Sequence, residues 1–283
     1  MWSLQQAEAR EQVQQVPLHG PEAFAGMRRA GRLAAEVLDR VTPEVRVGVT
    51  TEELDELCHD FIQSRGATPA PLGYKGFPKS ICTSINHVVC HGIPERRRLQ
   101  DGDIMNIDVT VILDGWYGDS SRMFFAGNPS VKARRLTRVT FEALWKGIEA
   151  VRPGATLGDI GRAIQAHAEA NRCSVVQDYC GHGIGRVFHD APSVLHYATP
   201  RERNPDRDRV LQQQGLVLRP GMIFTVEPMV NLGTWEVKLK RDGWTVVTRD
   251  RQLSAQFEHT VGVTVDGVEV FTLSPAGLHH PDW

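Results

Sequence analysis

Asp108 and Asp119 lie in two runs of strand-forming residues that flank Asp114-Gly115, and their spacing suits a pair of metal ions. An Asp-Gly pair between such runs predicts a two-residue hairpin turn. That turn sets Thr110 opposite Asp119, and the alternation of side chains then places both aspartates on one face. Diagonal side chains across a hairpin are roughly 7 Å apart and can converge at their tips, within reach of two metal ions about 4 Å apart.

Three further residues could complete a metal site. Glu227 is the lone charge of MIFTVEPMV, and Glu258 is the acid of SAQFEHTVGVTV; each segment is expected to be one buried strand. Lone acids in such runs rarely occur without a partner or a metal. His182 follows among glycines that permit close backbone approach. This oxygen-rich set with one nitrogen favours paired Mn(II), Fe(II), Co(II) or Zn(II) ions, which support hydrolysis, over a structural Cys/His zinc site.

Two further histidines, His87 and His91 in INHVVCHGIP, have the spacing of a zinc-binding helix. The two valines between them and Gly92 and Pro94 after them favour a strand instead. In a strand the two imidazoles share a face but stand about 13 Å apart, so one metal cannot bind both. His196 is expected to be a structural histidine.

The elements that must position these residues occur twice along the chain. Helices are predicted at Ala23–Val41, Thr50–Gly66 and Leu136–Val151, and Pro153–Arg172 repeats the Gly-x-Thr start of the second helix. In the same way the Asp108 strand aligns with the Glu227 strand. The repeat predicts a duplication of two αβ halves, about 23–130 and 131–273, within one domain of residues 21–283. Residues 1–20 are expected to form a loose arm or an extra helix.

The composition excludes some classes of protein. A net charge of −2 and a sequence pI of about 6.6 give no broad basic surface for nucleic acid. No apolar run approaches the roughly 18 residues of a membrane span, and the five cysteines show no paired spacing, so a cytoplasmic protein with reduced thiols is expected. The charged segment Ala198–Gly215 is predicted to be a surface loop.

Taken together, these motifs resemble the bacterial type I methionine aminopeptidases from about Ala23 to Leu273. The matching segments are LGYKGFPKS, NHVVCHGIP, NIDVTVILDGWYGDSSRMF, CGHGIGRVFHDAPSVLHY, TVEPMV, DGW and QFEHT. The resemblance implies an α+β pita-bread fold, in which two pseudosymmetric αβ halves form a curved antiparallel sheet with helices on its outer face. It also implies removal of the initiator methionine from nascent polypeptides whose second residue is small.

The resemblance assigns roles to residues of this sequence. It implies a dinuclear centre of Co, Mn, Fe or Zn with five ligands: Asp108, Asp119, His182, Glu227 and Glu258. Glu227 is implied to move a proton, His189 to stabilise the oxyanion and His91 to engage the peptide nitrogen. The implied methionine pocket consists of Tyr74, Phe77, Cys82, Phe188 and Trp244, with Phe77 where relatives have a second tyrosine. A monovalent cation, Na⁺ or K⁺, is implied at Asn86, Val88 and Ser254.

The implied partners are the N-termini of nascent polypeptides and, transiently, the ribosome, with no membrane, no specific nucleic-acid sequence and a monomeric state. Two alternatives stay open from the sequence. Proline-specific aminopeptidases of the same fold use a similar metal set, but they usually carry a large extra N-terminal domain. A catalytically inactive pita-bread binding protein would keep the fold and lose metal ligands, whereas all five candidate ligands are present in this sequence.

Overall fold

The structure is a computed structural model that describes residues 2–3, 16–198 and 213–283. The helices within these residues are α1 (Pro21–Val41), α2 (Thr51–Ser64), α3 (Val131–Glu149) and α4 (Leu157–Ala170). The strands are β1 (Trp2–Ser3), β2 (Thr68–Pro69), β3 (Cys82–Ile85), β4 (Val88–Cys90), β5 (Ile104–Leu113), β6 (Trp116–Phe125), β7 (Ser174–Val175), β8 (Tyr179–Gly183), β9 (Asp190–Val194), β10 (Ile223–Val226), β11 (Met229–Asn231), β12 (Val237–Leu239), β13 (Val246–Thr248), β14 (Ser254–Gln256), β15 (Glu258–Val263) and β16 (Val268–Val270).

One antiparallel sheet carries the elements of the predicted site. Its strand order is β1-β8-β10-β15-β6-β5-β2, with β3, β9 and β16 paired to β5, β8 and β15. Two smaller sheets have the orders β14-β11-β7 and β12-β13-β4. Helix α1 packs on β5 and β6, and α3 packs on α4 and β14. The expected α+β fold, a curved antiparallel sheet backed by helices, is therefore confirmed.

Equivalent capping residues start the second helix of each half. The Thr50 hydroxyl accepts from the N–H of Glu53, whose carboxylate accepts from the N–H of Thr50. Thr156 and Asp159 form the same capping box at the start of α4. Each box satisfies backbone donors that the first helical turn leaves unpaired.

Helix α3 begins earlier than predicted. It starts at Val131 rather than Leu136 because the Ser130 hydroxyl accepts from the N–H of Ala133 and caps the helix.

The central hairpin has the predicted register. Residues Asp114 and Gly115 form the turn with positive φ angles of 52° and 76°. Across β5 and β6, Thr110 pairs with Asp119 and Asp108 pairs with Ser121. The hairpin therefore places Asp108 and Asp119 as diagonal neighbours, as the spacing predicts.

Three predicted strands are interrupted. The Glu227 segment ends as β10 at Val226 and resumes as β11 after Pro228, because proline cannot donate to the strand ladder. The Glu258 segment breaks at Phe257 between β14 and β15. The third interruption is at His87, which lies in the turn between β3 and β4 next to Asn86, whose φ is 56°, and not in a strand. Each break turns the chain between two sheets.

The N-terminal arm is attached to the body where the structure describes it. Trp2 and Ser3 form β1 on β8, and Val16 packs against the buried cluster of the second half. The His19 N–H donates to the carbonyl of Gly221 at 2.7 Å. Residues 4–15 lie outside the described range, so the prediction of a loose arm or an extra helix for residues 1–20 stays a prediction. Most of the predicted loop Ala198–Gly215 also lies outside that range.

Within the described residues, no helix is long and apolar enough to cross a membrane. The five cysteines are buried and form no disulfide: Cys58, Cys82, Cys90, Cys173 and Cys180.

Candidate active site

Three adjacent strands align acidic residues on one face of the sheet. Ser121 of β6 pairs with Asp108 of β5 on one side and with Glu258 of β15 on the other. Asp119 lies two residues before Ser121 and therefore shares its face. The register alone thus brings Asp108, Asp119 and Glu258 to one patch of the sheet.

The next strands add a glutamate and a histidine. Thr225 of β10 pairs with Thr260 of β15, so Glu227, two residues further, reaches the level of Glu258. His182 lies in β8, beside β10, and its backbone N–H donates to the Thr225 hydroxyl at 2.9 Å. All five side chains that the sequence predicts as metal ligands thus converge, and each residue is no more than 8% exposed.

The distances describe a compact group. His182 Nε2 lies 3.6 Å from Asp119 Oδ2 and 3.7 Å from Glu227 Oε1. Ligand atoms of Asp119, His182 and Glu258 all lie within 4.8 Å of one another. Asp108 lies at the wall of the adjacent cavity, where the acidic group meets solvent.

The electrostatics of this group are unfavourable without a cation. Burial raises the pKa of Asp119 to about 7, and the charge of Asp108 adds to the rise. Burial likewise raises the pKa of Glu227 to about 8 and the pKa of Glu258 well above its usual range. Carboxylates behave in this way when they are removed from water beside like charges. A bound cation would supply the missing compensation.

The protonation of His182 also fits metal binding. Its Nδ1 lies 3.0 Å from the carbonyl oxygen of Gly183, so Nδ1 carries the proton and donates it. Its buried Nε2 has no hydrogen-bond partner among the described residues, and burial lowers the pKa of His182 to about 3. A neutral imidazole with a bare Nε2 lone pair facing carboxylates is a typical metal-ligand arrangement. The five residues therefore fit a divalent metal centre.

Threonine hydroxyls form hydrogen bonds with three of the candidate ligands. Thr225 donates to Glu227 Oε1 at 2.8 Å while it accepts from the His182 N–H, so one hydroxyl links two candidate ligands. Thr110 donates to Asp119 Oδ1 at 2.7 Å. Neither threonine was predicted as a site residue, although Thr110 was placed opposite Asp119 by the hairpin, and Thr225 shares a strand face with Glu227.

His196 supports the site from behind. Its buried Nε2 accepts from the backbone N–H of Glu227 at 3.1 Å, in agreement with the expected structural role.

A cavity of about 350 Å³ opens beside the acidic group. Its walls include every residue of the predicted methionine pocket: Tyr74, Phe77, Cys82, Phe188 and Trp244. The Phe77 and Trp244 rings meet edge to face with centroids 5.1 Å apart, and the Tyr74 and Phe188 rings lie 4.9 Å apart. Phe77 is almost fully buried, so its missing hydroxyl leaves an apolar wall.

The two histidines with predicted catalytic roles, His91 and His189, line the same cavity. His189 is buried with its ring centroid 4.3 Å from that of His182. His91 ends the β4 segment with a φ of 54° and packs against Tyr179 at 5.6 Å. His87 lies away from the cavity, where burial and then Arg251 and Arg97 lower its pKa. It is therefore not part of this site.

The predicted monovalent-cation residues lie around the junction of β3, β4 and β14. The Ser254 N–H donates to the carbonyl of Asn86 at 2.9 Å, and Val88 begins β4 two residues later. The buried oxygens Ser254 Oγ and Asn231 Oδ1 have no hydrogen-bond partner among the described residues, and these two residues pair across β14 and β11. Bare oxygens of this kind suit a small hard cation.

Comparisons with known proteins give consistent matches. The model of metallopeptidase family M24 matches residues 25–265. A methionine aminopeptidase from Rickettsia prowazekii is 60% identical over 269 residues, which cover 95% of this chain and 99% of that protein. The crystal structure of methionine aminopeptidase from the same organism superposes with a TM-score of 0.85 over 92% of this chain and 100% of that one.

A more distant structure shares the fold alone. The prolidase from Pyrococcus furiosus is 18% identical, with a TM-score of 0.67, and the match covers 90% of this chain and 65% of that one.

Proposed function

The chain belongs to the methionine aminopeptidases of metallopeptidase family M24, and we propose that its buried acidic group holds the divalent metal ions of that reaction. It is a metal-dependent aminopeptidase that removes N-terminal methionine. The proposed ligands of two ions, drawn from Co, Mn, Fe and Zn, are Asp108, Asp119, His182, Glu227 and Glu258. Bound ions of this kind lower the pKa of a water molecule and polarise a carbonyl. The bare His182 Nε2 between two carboxylates carries the assignment.

We propose that the cavity binds the methionine side chain. Its aromatic walls suit a thioether, because sulfur is polarisable and packs well against ring edges. Asp108 lies where the cavity meets the acidic group, so a positively charged substrate amine in the cavity would lie beside its carboxylate. Together these features support an N-terminal methionine as the residue that is bound.

The remaining roles follow from the positions of three side chains. Glu227, which the pairing of β10 with β15 brings to the level of Glu258, would accept a proton from the attacking water and pass it to the leaving amine. His189, at the cavity wall, would donate to the oxyanion that develops on the carbonyl. His91, on the same wall, would contact the peptide nitrogen.

An extended peptide would pair with β8 by taking the place that Trp2 and Ser3 occupy in this structure. Trp2 pairs with Cys180 and Ser3 with Tyr179, so β1 runs antiparallel to β8 with its N-terminal end directed toward His182. A substrate must present its first residue to the same centre, and it would therefore run in the same direction. Main-chain pairing of this kind accepts many sequences, as an enzyme that acts on many polypeptides requires.

We propose that the substrates are N-termini of nascent polypeptides with a small second residue, met transiently at the ribosome in the cytoplasm by a monomeric enzyme. The restriction to small residues is supported by the His91 and Tyr179 rings, which pack edge to face at 5.6 Å in the wall of the cavity and would contact the residue after the methionine. We also propose that Asn86, Val88 and Ser254 bind Na⁺ or K⁺ beneath the catalytic strands.

The function predicts a specific pattern of turnover. Protein loaded anaerobically with Mn(II), Fe(II) or Co(II) is expected to release methionine from Met-Ala-Ser, and to cleave Leu-Ala-Ser and Met-Trp-Ser at least roughly tenfold more slowly. The aromatic cavity accounts for the preference for methionine, and the His91 and Tyr179 rings in its wall account for the preference for a small second residue. Chromatographic measurement of the released amino acid gives kcat/KM for each peptide.

Two results would support the alternatives that the sequence leaves open. Preferential cleavage of X-Pro peptides would favour a proline-specific aminopeptidase. No turnover of any peptide with every metal loaded, despite measured metal binding, would favour an inactive binding protein.

Thr225 gives a prediction that tests the metal centre separately. The Thr225→Val variant is expected to bind Mn(II) about 10–100 times more weakly, because Glu227 and the His182 segment lose their shared hydroxyl. Thr225→Ser keeps that hydroxyl and is expected to bind nearly as tightly as the unsubstituted protein. Calorimetric titration of metal-free protein measures both, and equal affinity in Thr225→Val would contradict the role.

A further inference from the structure

A constrained loop between β2 and β3 presents Tyr74 to the cavity. The Gly73 N–H donates to the Phe77 carbonyl at 2.8 Å, and the Phe77 N–H donates to the Tyr74 carbonyl at 2.9 Å. Lys75 adopts a φ of 49°, a left-handed conformation that is uncommon for a residue with a side chain. Backbone strain of this kind persists where the surrounding structure enforces it and often occurs at functional sites.

The Tyr74 hydroxyl contacts the histidine that is proposed to stabilise the oxyanion. Its oxygen lies 3.0 Å from His189 Nδ1, and the two rings stack with centroids 5.4 Å apart. Phe188 packs against both rings at 4.9 Å and 4.1 Å. The imidazole plane of His189 is therefore held by packing, and its Nδ1 contacts the Tyr74 hydroxyl.

The two neighbouring histidines of the site have different partners at Nδ1. His182 Nδ1 faces the carbonyl oxygen of Gly183, which only accepts, so its proton lies on Nδ1 and Nε2 keeps a lone pair. His189 Nδ1 faces a phenol, which is a better donor than a neutral imidazole. If the phenol donates, Nδ1 is the acceptor and the single proton of neutral His189 lies on Nε2. The partner at Nδ1 thus leaves His182 with an Nε2 lone pair that can bind a metal, and His189 with an Nε2–H that can donate a hydrogen bond.

We propose that Tyr74 is a positioning residue that fixes His189 in the Nε2–H tautomer, so that His189 donates to the oxyanion. This inference rests on the proposed function for its catalytic consequence, but the tautomer itself is a property of the protein without metal or substrate. It also gives Tyr74 a role beyond that of an apolar pocket wall. Phe77, whose ring lacks a hydroxyl, forms only such a wall.

The test compares Tyr74→Phe with Tyr117→Phe. Tyr117 also stacks on Phe188, at 5.5 Å, but is not among the residues that line the cavity. Tyr117→Phe therefore removes one phenol hydroxyl from the same aromatic group without changing the cavity wall. Long-range ¹H–¹⁵N spectra of ¹⁵N-histidine-labelled, metal-free protein report the tautomer at about pH 8, where an ordinary imidazole is neutral. The His189 signals are assigned from a His189→Gln spectrum.

We expect the Nε2–H tautomer at His189 in the unsubstituted protein and in Tyr117→Phe, and a mixture of tautomers in Tyr74→Phe. In metal-loaded protein, Tyr74→Phe is expected to lower kcat on Met-Ala-Ser roughly tenfold, as the loss of one hydrogen bond implies, while KM changes less than about threefold. A loss confined to KM would indicate a pocket wall and overturn the inference. An Nδ1–H tautomer in the unsubstituted protein would also overturn it.

These outcomes separate the inference from the proposed function. If the unsubstituted protein cleaves Met-Ala-Ser and Tyr74→Phe matches it in kcat and tautomer, the inference fails and the function stands. If no metal-loaded protein cleaves the peptide but the tautomer changes in Tyr74→Phe alone, the proposed function fails and the positioning of His189 by Tyr74 stands.

Discussion

Replacing Asp108 by alanine is expected to lower kcat/KM for Met-Ala-Ser by roughly 10³-fold or more, because a proposed metal ligand that also faces the substrate amine is lost. The same change is expected to leave the metal-free protein at least as stable as the unsubstituted one. Asp108 is buried beside Asp119, and burial raises its pKa without a compensating cation. Removing an uncompensated buried acid relieves an unfavourable interaction, and the shortened side chain opens onto the cavity.

The measurement is a pair of assays on each variant: steady-state peptide cleavage with saturating Mn(II), and thermal unfolding of the metal-free protein. Asp266→Ala, which removes an exposed acid from the loop between β15 and β16, is the control and is expected to change neither. Full metal-dependent turnover in Asp108→Ala would contradict the assignment of Asp108 as a ligand of the metal centre. A large loss of stability in that variant would instead point to a structural role.

The second large effect is expected in the free energy of unfolding of the metal-free protein, which should depend on pH. Raised pKa values of about 7 for Asp119 and about 8 for Glu227 mean that the folded protein holds protons that the unfolded chain releases near its ordinary carboxyl pKa. Stability therefore falls as pH rises, by roughly 1.4 kcal/mol per pH unit for each proton held. The loss extends through neutral pH and ends once pH exceeds the folded pKa values.

Buried histidines have the opposite effect, but in a lower range of pH. Burial lowers the pKa of His196 and of His259 to about 3. Their contribution to the free energy of unfolding therefore rises with pH only up to the ordinary pKa of histidine. Between about pH 7 and pH 8 the carboxyl groups dominate. We therefore expect urea unfolding to show that metal-free stability declines over that interval.

Two comparisons make this prediction specific. Saturating Mn(II) is expected to abolish the decline, because a bound cation keeps the carboxylates ionised in the folded state. Glu227→Gln is expected to reduce the decline, because it removes one of the groups that holds a proton. Metal-free stability that rises between about pH 7 and pH 8 would show that the acids are not held in the arrangement described.

Local rules account for much of the fold. The Asp114-Gly115 turn determines the pairing of β5 and β6 residue by residue, since a two-residue turn leaves no freedom of register. The capping threonines Thr50 and Thr156 mark the helix starts because a side-chain cap is a property of adjacent residues. Both signals depend only on short separations along the chain, and both predictions are confirmed.

Other features depend on contacts between distant segments. The breaks at Pro228 and Phe257 follow from the passage of the chain between two sheets, which periodicity along a single strand does not reveal. The double hydrogen bond of Thr225 requires β8 beside β10, a pairing that no local spacing specifies. The strand at Trp2 is likewise formed by pairing with β8, more than 170 residues away.

In the candidate site, too, some residues can be identified from the local sequence and others only from contacts between distant segments. The hairpin identifies Asp108 and Asp119 as a pair from spacing alone, and the lone acids Glu227 and Glu258 stand out because charges in buried strands need partners. The glycines around His182 distinguish it from its neighbouring histidines, whereas the roles of His91 and His189 are implied by the family resemblance alone. Spacing could not supply them, because tautomer and orientation depend on hydrogen bonds made across the fold.

The central claim, a dinuclear centre that releases N-terminal methionine, is tested most directly by counting metal ions and turnover in the same sample. Chelator-treated protein is titrated anaerobically with Mn(II), and the bound metal and the rate on Met-Ala-Ser are measured at each addition. We expect turnover to be absent without metal, to appear as ions bind, and to level off by two ions per chain. Full turnover in protein that retains less than about one ion per twenty chains, a threshold far below stoichiometric binding, would contradict the account.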